Sequence, residues 1–182
     1  MARSIALALA LGLSGGIVTS AAAKVFYSRE EALRVAFPDA DTIEKLTFFL
    51  TAEQTRAVEA LARSRLESKL VTVHVGKRNE KVLGYAMIDI HVVRTMPEAS
   101  MIVLSPDGNV ESTLVLAFHE PLEYLPSARW LKQFDKKSLN PGLGVGQEIA
   151  GITGATLTAY AITESVRRAL AIYRVLIAPK SP

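Results

Sequence analysis

The sequence predicts an α+β domain: one largely antiparallel sheet with packed helices, closed by a long C-terminal helix. Three observations carry that prediction. Short apolar runs fill the middle of the chain between Leu70 and Phe118 with only brief turns between them, which favours adjacent antiparallel strands over βαβ units. Helical periodicity is confined to the flanks of this block, most clearly from Ala155 to Ile177. Of the 182 residues, 49% are hydrophobic and 21% charged, enough apolar material for a packed core and too much for disorder.

The N-terminus has its own pattern. Met1-Ala2-Arg3-Ser4 precedes the apolar stretch IALALALGLSGGIV, which ends in Thr19-Ser20-Ala21-Ala22-Ala23. A short positive region, an apolar centre and an A-x-A site are the parts of an export signal, here with cleavage expected after Ala23. The competing reading is a retained anchor. Against it stand a length below the roughly 20 residues of a bilayer span and the break at Gly15-Gly16. The expected organisation is therefore a signal peptide at 1–23 and a single domain at 24–182, soluble in the periplasm. No later segment approaches transmembrane length.

Ser28 with Glu31 three residues on forms capping-box spacing, so a short helix starts there and stops at Pro38-Asp39. Ile43 to Leu50 alternates as a first strand. Thr51 with Gln54 repeats the box and opens a second helix to about Ser68, with Val58, Leu61, Ala62 and Leu66 on one face. Leu70–Gly76 and Val82–Val93 are rich in β-branched residues and predict strands. Met101–Leu104 enters the turn Ser105-Pro106-Asp107-Gly108-Asn109, and Val110–Phe118 returns as its hairpin partner. A polar connection from Glu120 to Gly146 holds the single tryptophan, Trp130. In the last helix, Ile162, Val166, Ala169, Leu170, Tyr173, Leu176 and Ile177 form an apolar stripe. Arg167, Arg168 and Arg174 are assigned to the other faces, and Pro179 is the stop.

Several chemistries are excluded. Cysteine is absent, which removes disulfides, thiolate metal sites, cysteine nucleophiles, iron–sulfur clusters and CxxCH haem attachment. The formal charge is only +3, and the basic residues are scattered among acids without interleaved aromatics, so nucleic acid is not an expected partner. The three histidines, His74, His91 and His119, lack metal-ligand spacing, and no metal site is expected. His74 and His91 lie inside predicted strands and read as structural. There is no P-loop, G-x-S-x-G or G-x-G-x-x-G. Gly142-Leu143-Gly144-Val145-Gly146 lacks the Lys-Ser/Thr ending of a phosphate cradle and reads as a flexible approach to the start of the last helix.

The informative segment is Gly146-Gln147-Glu148-Ile149-Ala150-Gly151-Ile152-Thr153-Gly154-Ala155-Thr156-Leu157-Thr158, which packs small and hydroxyl residues directly ahead of that helix. A helix start offers backbone N–H groups without internal partners and partial positive charge. Gly154 and Ala155 allow close approach, and Thr153, Thr156 and Thr158 offer hydroxyls. One reading is a phosphate or other anion site. The other is an ordinary Ser/Thr cap with small residues for tight packing. Local physics leaves both open.

The stretch Thr153-Gly154-Ala155-Thr156 resembles the flavinylation motif of the FMN-binding domain family, which includes the C subunit of the sodium-pumping NADH:quinone reductase and the G subunit of the Rnf complex. There, Ser/Thr-Gly-Ala-Thr/Ser carries FMN through a phosphoester on its last hydroxyl. Gly84-Tyr85 looks like the family's Gly-Tyr strand, Ser105–Val110 like its Asp-Gly hairpin, and His119-Glu120-Pro121 stands where the family often has Glu-Thr-Pro. The resemblance implies FMN as cofactor and Thr156 as acceptor, with Thr153, Gly154, Ala155, Leu157 and Thr158 around it. One position departs: the family usually has Asp six residues before the acceptor, and here it is Ala150, with Glu148 two residues earlier.

Beyond the motif, the candidates are His119 and Glu120, to tune the flavin ring, and Tyr124 and Trp130, to cover it. Each has a structural alternative: a polar strand end for the first two, a core position for the lone Trp. Arg94 near Glu98 fits either a surface ion pair or neutralisation of a phosphate. Thr156 has no His or Cys nearby to activate it, so the resemblance implies attachment by a separate flavin transferase. The functional expectation is an exported electron carrier whose partner is a membrane redox complex or a cytochrome. No residue set marks it as a self-sufficient enzyme. The alternatives are a noncovalent module for FMN or another phosphorylated ligand, and a cofactor-free subunit of a membrane redox complex.

Overall fold

The computed structural model describes residues 24–179, so the expected signal peptide lies outside the described residues. The chain runs through β1 (Lys24–Val25), α1 (Arg29–Ala36), β2 (Thr42–Phe49), α2 (Ala52–Ala62), β3 (Leu70–Arg78), β4 (Lys81–Val93), β5 (Met96–Leu104) and β6 (Val110–Phe118). It ends with α3 (Ala128–Leu131) and α4 (Thr156–Ile172). The six strands form one antiparallel sheet in the order β1-β6-β5-β4-β3-β2. Sequential strands pair throughout β2–β6, as the short turns require. Among the described residues no helix is long and apolar enough to cross a membrane.

Alternation along the strands splits the side chains between two cores. On one face Val71, Val73, Val75, Met87, Ile102 and Leu104 pack with α2 and α4 and with Trp130 and Phe134. On the other, Ala86, Met101, Val103 and Leu116 pack under Ala32 and Leu33 of α1 and Phe37 just after it. Both capping boxes form. Ser28 Oγ accepts from the Glu31 N–H at 3.2 Å while Glu31 accepts the Ser28 N–H at 2.8 Å. Thr51 and Gln54 repeat the exchange at 3.1 and 2.9 Å. The predicted hairpin turn also forms, and Gly108 takes φ +78° with its α-carbon against the Tyr173 ring, where a β-carbon would fall inside the ring's contact distance.

Five expectations are corrected. The second helix was expected to reach Ser68 but stops at Ala62, because Arg63 turns left-handed at φ 57°. The strand expected at Met101 begins at Met96, since Met96–Ala99 pair with Ile90–Val93 across the tight turn. The connection after Glu120 is partly helical: Ser127 caps α3 through the Trp130 N–H at 3.1 Å, between two 3-10 turns. The last helix is α-helical only to Ile172 and finishes in a π-helical turn over Tyr173–Ile177, where Ala178 N–H donates to the Tyr173 carbonyl at 2.8 Å. Arg167 and Arg168, assigned to exposed faces, are buried.

Candidate functional site

The start of α4 is held from below by α3. Trp130 Nε1 donates to the Ala150 carbonyl at 2.7 Å, and the Ala150 N–H donates to Gln133 Oε1 at 2.9 Å. Trp130 is buried edge-on against Phe134, with ring centroids 5.4 Å apart. Upstream, Gly146 turns at φ +79° and its N–H closes onto the Ile149 carbonyl at 2.8 Å. Glu148 does not reach toward the helix start, because Lys137 Nζ binds its carboxylate at 2.9 Å and holds its pKa down. The chain then passes Gly154 at φ +81°, a left-handed conformation costly for any residue with a β-carbon, and no atom lies within 4 Å of where that carbon would be.

Ala155 is the N-cap, with no side-chain cap hydrogen bond. The first intrahelical bond of α4 runs from the Ala159 N–H to the Ala155 carbonyl at 3.1 Å. Thus the alternative of a Ser/Thr cap is not what forms, and the N–H groups of Thr156, Leu157 and Thr158 have no side-chain cap acceptor at the positive end of a 17-residue helix. Thr153, Gly154, Thr156 and Leu157 are exposed, whereas Ala155 and Thr158 are turned inward. The surface therefore offers the Thr156 hydroxyl beside uncapped backbone donors and an open glycine. That donor set fits a phosphate.

α4 runs antiparallel to β4. Tyr173 stacks near Tyr85, with centroids 5.5 Å apart, and donates to the Pro106 carbonyl, while Ser165 bonds Asp89 further along the strand. Thr156 lies nine residues before Ser165, about 14 Å along the axis. This directs the helix start toward the end of the sheet where the β4–β5 turn and the end of β6 lie. Arg94 sits in that turn, and its Nη1 pairs with the buried Glu120 at 3.4 Å. Its guanidinium lies 5.4 Å from the Tyr124 ring centre. Next to Glu120, His119 Nδ1 is buried without a partner among the described residues. Arg94, Glu120 and Tyr124 thus form one cluster at the end of the sheet. No hydrogen bond among the described residues links this cluster to Thr153–Thr158, and Trp130 reaches the segment only through Ala150.

A second polar cluster was not legible in the sequence. Under α4, Asp89 Oδ2 accepts from His91 Nδ1 at 3.1 Å, Ser165 Oγ at 2.6 Å and Arg168 Nη2 at 2.6 Å. The other ring nitrogen of His91 faces Glu98 at 3.3 Å, and Glu98 is 1% exposed. Burial disfavours the charged imidazole, but its hydrogen bonds to Asp89 and Glu98 outweigh this and raise the His91 pKa to about 9. Burial likewise works to raise the Asp89 pKa, yet His91 and Arg168 hold it well below the usual carboxylate range. The β3–β4 ladder stops at His74–Ala86, and beside the cluster a cavity of about 490 Å³ opens between Thr72, Asp89, Glu164 and Arg168. The Asp-x-His alternation of Asp89 and His91 on one strand face was the available signal.

The model of the FMN-binding domain matches residues 27–171. The G subunit of the Na(+)-translocating ferredoxin:NAD(+) oxidoreductase complex of Acetobacterium woodii is 28% identical over 117 residues, covering 58% of this chain and 56% of that protein. The chain thus spans about half the length of that relative. The crystal structure of Shewanella oneidensis NqrC aligns with a TM-score of 0.48 at 14% identity, over 79% of this chain and 82% of that one.

Proposed function

The chain belongs to the FMN-binding domain family, and on that premise we propose that it is an exported electron-transfer flavoprotein carrying FMN in a phosphoester on Thr156. One observation supports the site above all: an exposed threonine hydroxyl in the uncapped first turn of α4, two residues after a left-handed glycine. FMN, when bound, supplies one- and two-electron redox chemistry, and the protein supplies its orientation and electrostatics. The residues of this chain hold and position it. Thr156 would provide the ester oxygen, the N–H groups of the first turn would donate to the phosphate, and the exposed surface leaves room for an attaching enzyme.

Attachment falls to a separate flavin transferase. Among the described residues no base bonds to the Thr156 hydroxyl; in such a transfer its oxygen would bond the FMN phosphorus as the pyrophosphate P–O bond of the flavin dinucleotide breaks, AMP would leave with that bond's electron pair, and the hydroxyl proton would pass to a base of the transferase. His119, Glu120 and Tyr124, with Arg94, are assigned to the ring's surroundings, and Trp130 to fixing the approach to the motif. Glu120 and Arg94 would then set the local charge facing the ring. The Acetobacterium woodii relative is a subunit of an oxidoreductase complex, which supports a membrane redox complex or a cytochrome as electron partner.

The departure at position 150 favours a second reading, reversible FMN binding. Ala150 has only a methyl group where the family usually has a carboxylate, and Glu148 is engaged by Lys137. Intact mass after co-expression with a flavin transferase separates the two. A gain equal to FMN less one water, lost in Thr156→Ala, supports the ester. An unmodified mass with flavin released on denaturation supports reversible binding, and full loading of Thr156→Ala would sink the assignment of the acceptor.

A further inference from the structure

The sheet is incompletely closed at its β6 edge, far from the exposed hydroxyl of Thr156 in chain order but joined to it through α3. At one end of β6, Phe26 N–H donates to the Leu116 carbonyl at 2.8 Å, continuing the two-residue pairing with β1. At the other end Val110 exchanges backbone bonds with Lys136 and Lys137, at 2.6 and 2.9 Å. Between these closures, no strand among the described residues pairs with the outer edge of Ser112–Val115. A groove of about 350 Å³ occupies the gap. Its walls are apolar: Phe26 and Tyr27, Val115, Leu125 and Leu131. The charged groups Lys132 and Asp135 also border it. Thr113 lines it too, is 7% exposed, and its hydroxyl has no partner among the described residues.

Buried hydroxyls in native proteins are nearly always hydrogen-bonded, and an unpaired one marks a place where something else supplies the partner. Apolar walls with one convergent polar group are the usual make-up of a small-molecule site, and the volume lies within the range of such sites. An apolar cavity of about 150 Å³ accommodates benzene, so this one has room for a fused two-ring molecule. We propose that the groove between β6, α3 and Phe26-Tyr27 binds a small, uncharged aromatic molecule that pairs one hydroxyl or carbonyl oxygen with Thr113. The site is separate from the FMN assignment and does not depend on it. It does share α3 with it: Ala128 and Leu131 line the groove, while Trp130 on the same short helix holds Ala150 ahead of the motif.

The test uses the full chain and two probes, 2-naphthol and naphthalene, titrated by calorimetry or by chemical-shift perturbation. The expected result is saturable one-to-one binding of 2-naphthol, with shifts confined to Phe26, Tyr27, Ser112–Val115 and α3. Thr113→Val keeps the side-chain shape and removes the oxygen. It should weaken 2-naphthol by about three- to tenfold, the worth of one hydrogen bond, and leave naphthalene unchanged. Ala128→Phe fills the groove from the exposed side of α3 and should abolish both. Leu125→Trp repeats that test from the segment ahead of α3 if Ala128→Phe lowers the melting temperature. No saturable binding up to the solubility of either probe overturns the proposal, as does binding that both filled variants retain. Equal effects of Thr113→Val on the two probes overturn the role of the hydroxyl.

Discussion

Gly154 sets the conformation on which the candidate site depends. Its φ of +81° turns the chain so that Ala155 can be the N-cap and Thr156 the first helical residue. An alanine there meets no neighbour, so backbone strain is the whole effect of the substitution. Gly154→Ala should therefore cost about 1–2 kcal/mol of stability, read from the urea midpoint, and should lower flavin loading more than stability alone explains. Loading that tracks the urea midpoint of unrelated destabilised variants would argue against a positioning role. At the same scale, two threonines of the motif part ways: Thr156 is exposed, while Thr158 is 1% exposed and faces the core. The pattern of hydroxyls in the sequence could not distinguish them, because the phase of the helix face depends on where α4 docks.

Between elements, the most consequential side chain is Arg167. Its Nε donates to the Ala62 carbonyl and its Nη2 to that of Leu61, both at 2.8 Å, while Nη1 reaches the carbonyls of Asn140 and Leu143. A cation thus ends α2 at its negative pole, and four carbonyls from two segments converge on one guanidinium. Burial pushes the Arg167 pKa down from its ordinary value, but with no carboxylate partner among the described residues it is the carbonyl dipoles that hold the charge. Arg167→Met keeps the apolar stem and leaves those carbonyls unpaired. The expected loss is about 3 kcal/mol, with the fastest new amide exchange in the last turn of α2. A loss below about 1 kcal/mol, the net worth of a single ordinary hydrogen bond, or exchange that rises evenly along the chain, would show that the guanidinium is not the tie between α2, α4 and the Asn140–Leu143 loop.

On the scale of the whole molecule, the Asp89–His91–Glu98–Ser165–Arg168 cluster joins sheet to helix inside the larger core. Glu164 pairs with Arg168 at its exposed rim. His91 has a folded-state pKa raised from 6.5 to about 9, so its contribution is complete below about pH 6.5 and lost as the pH rises through 9. Stability should accordingly fall between about pH 7 and pH 10, by up to roughly 3 kcal/mol. His91→Gln should start less stable and show a flatter profile over that range. Parallel profiles for the two proteins would place the alkaline loss elsewhere. In the acid direction the sign reverses: Asp89, with its pKa held low, stabilises at neutral pH and loses that contribution as the pH falls through its depressed value.

What the sequence alone determined lies within a few residues of each position. The capping boxes at Ser28 and Thr51, the strands from Leu70 to Phe118 and the turn at Gly108 all follow from neighbours along the chain, and all are found. Tertiary structure alone decided the rest. Arg168 and Asp89 are 79 residues apart, and Arg167 and Ala62 are 105 apart. No local pattern could announce that these arginines would be buried, that α2 would stop at Ala62, or that Thr113 would face a groove. A charged side chain leaves water only where its partners are already assembled, and those partners come from other elements. Local order is a property of the sequence; the identity of its buried polar groups belongs to the fold.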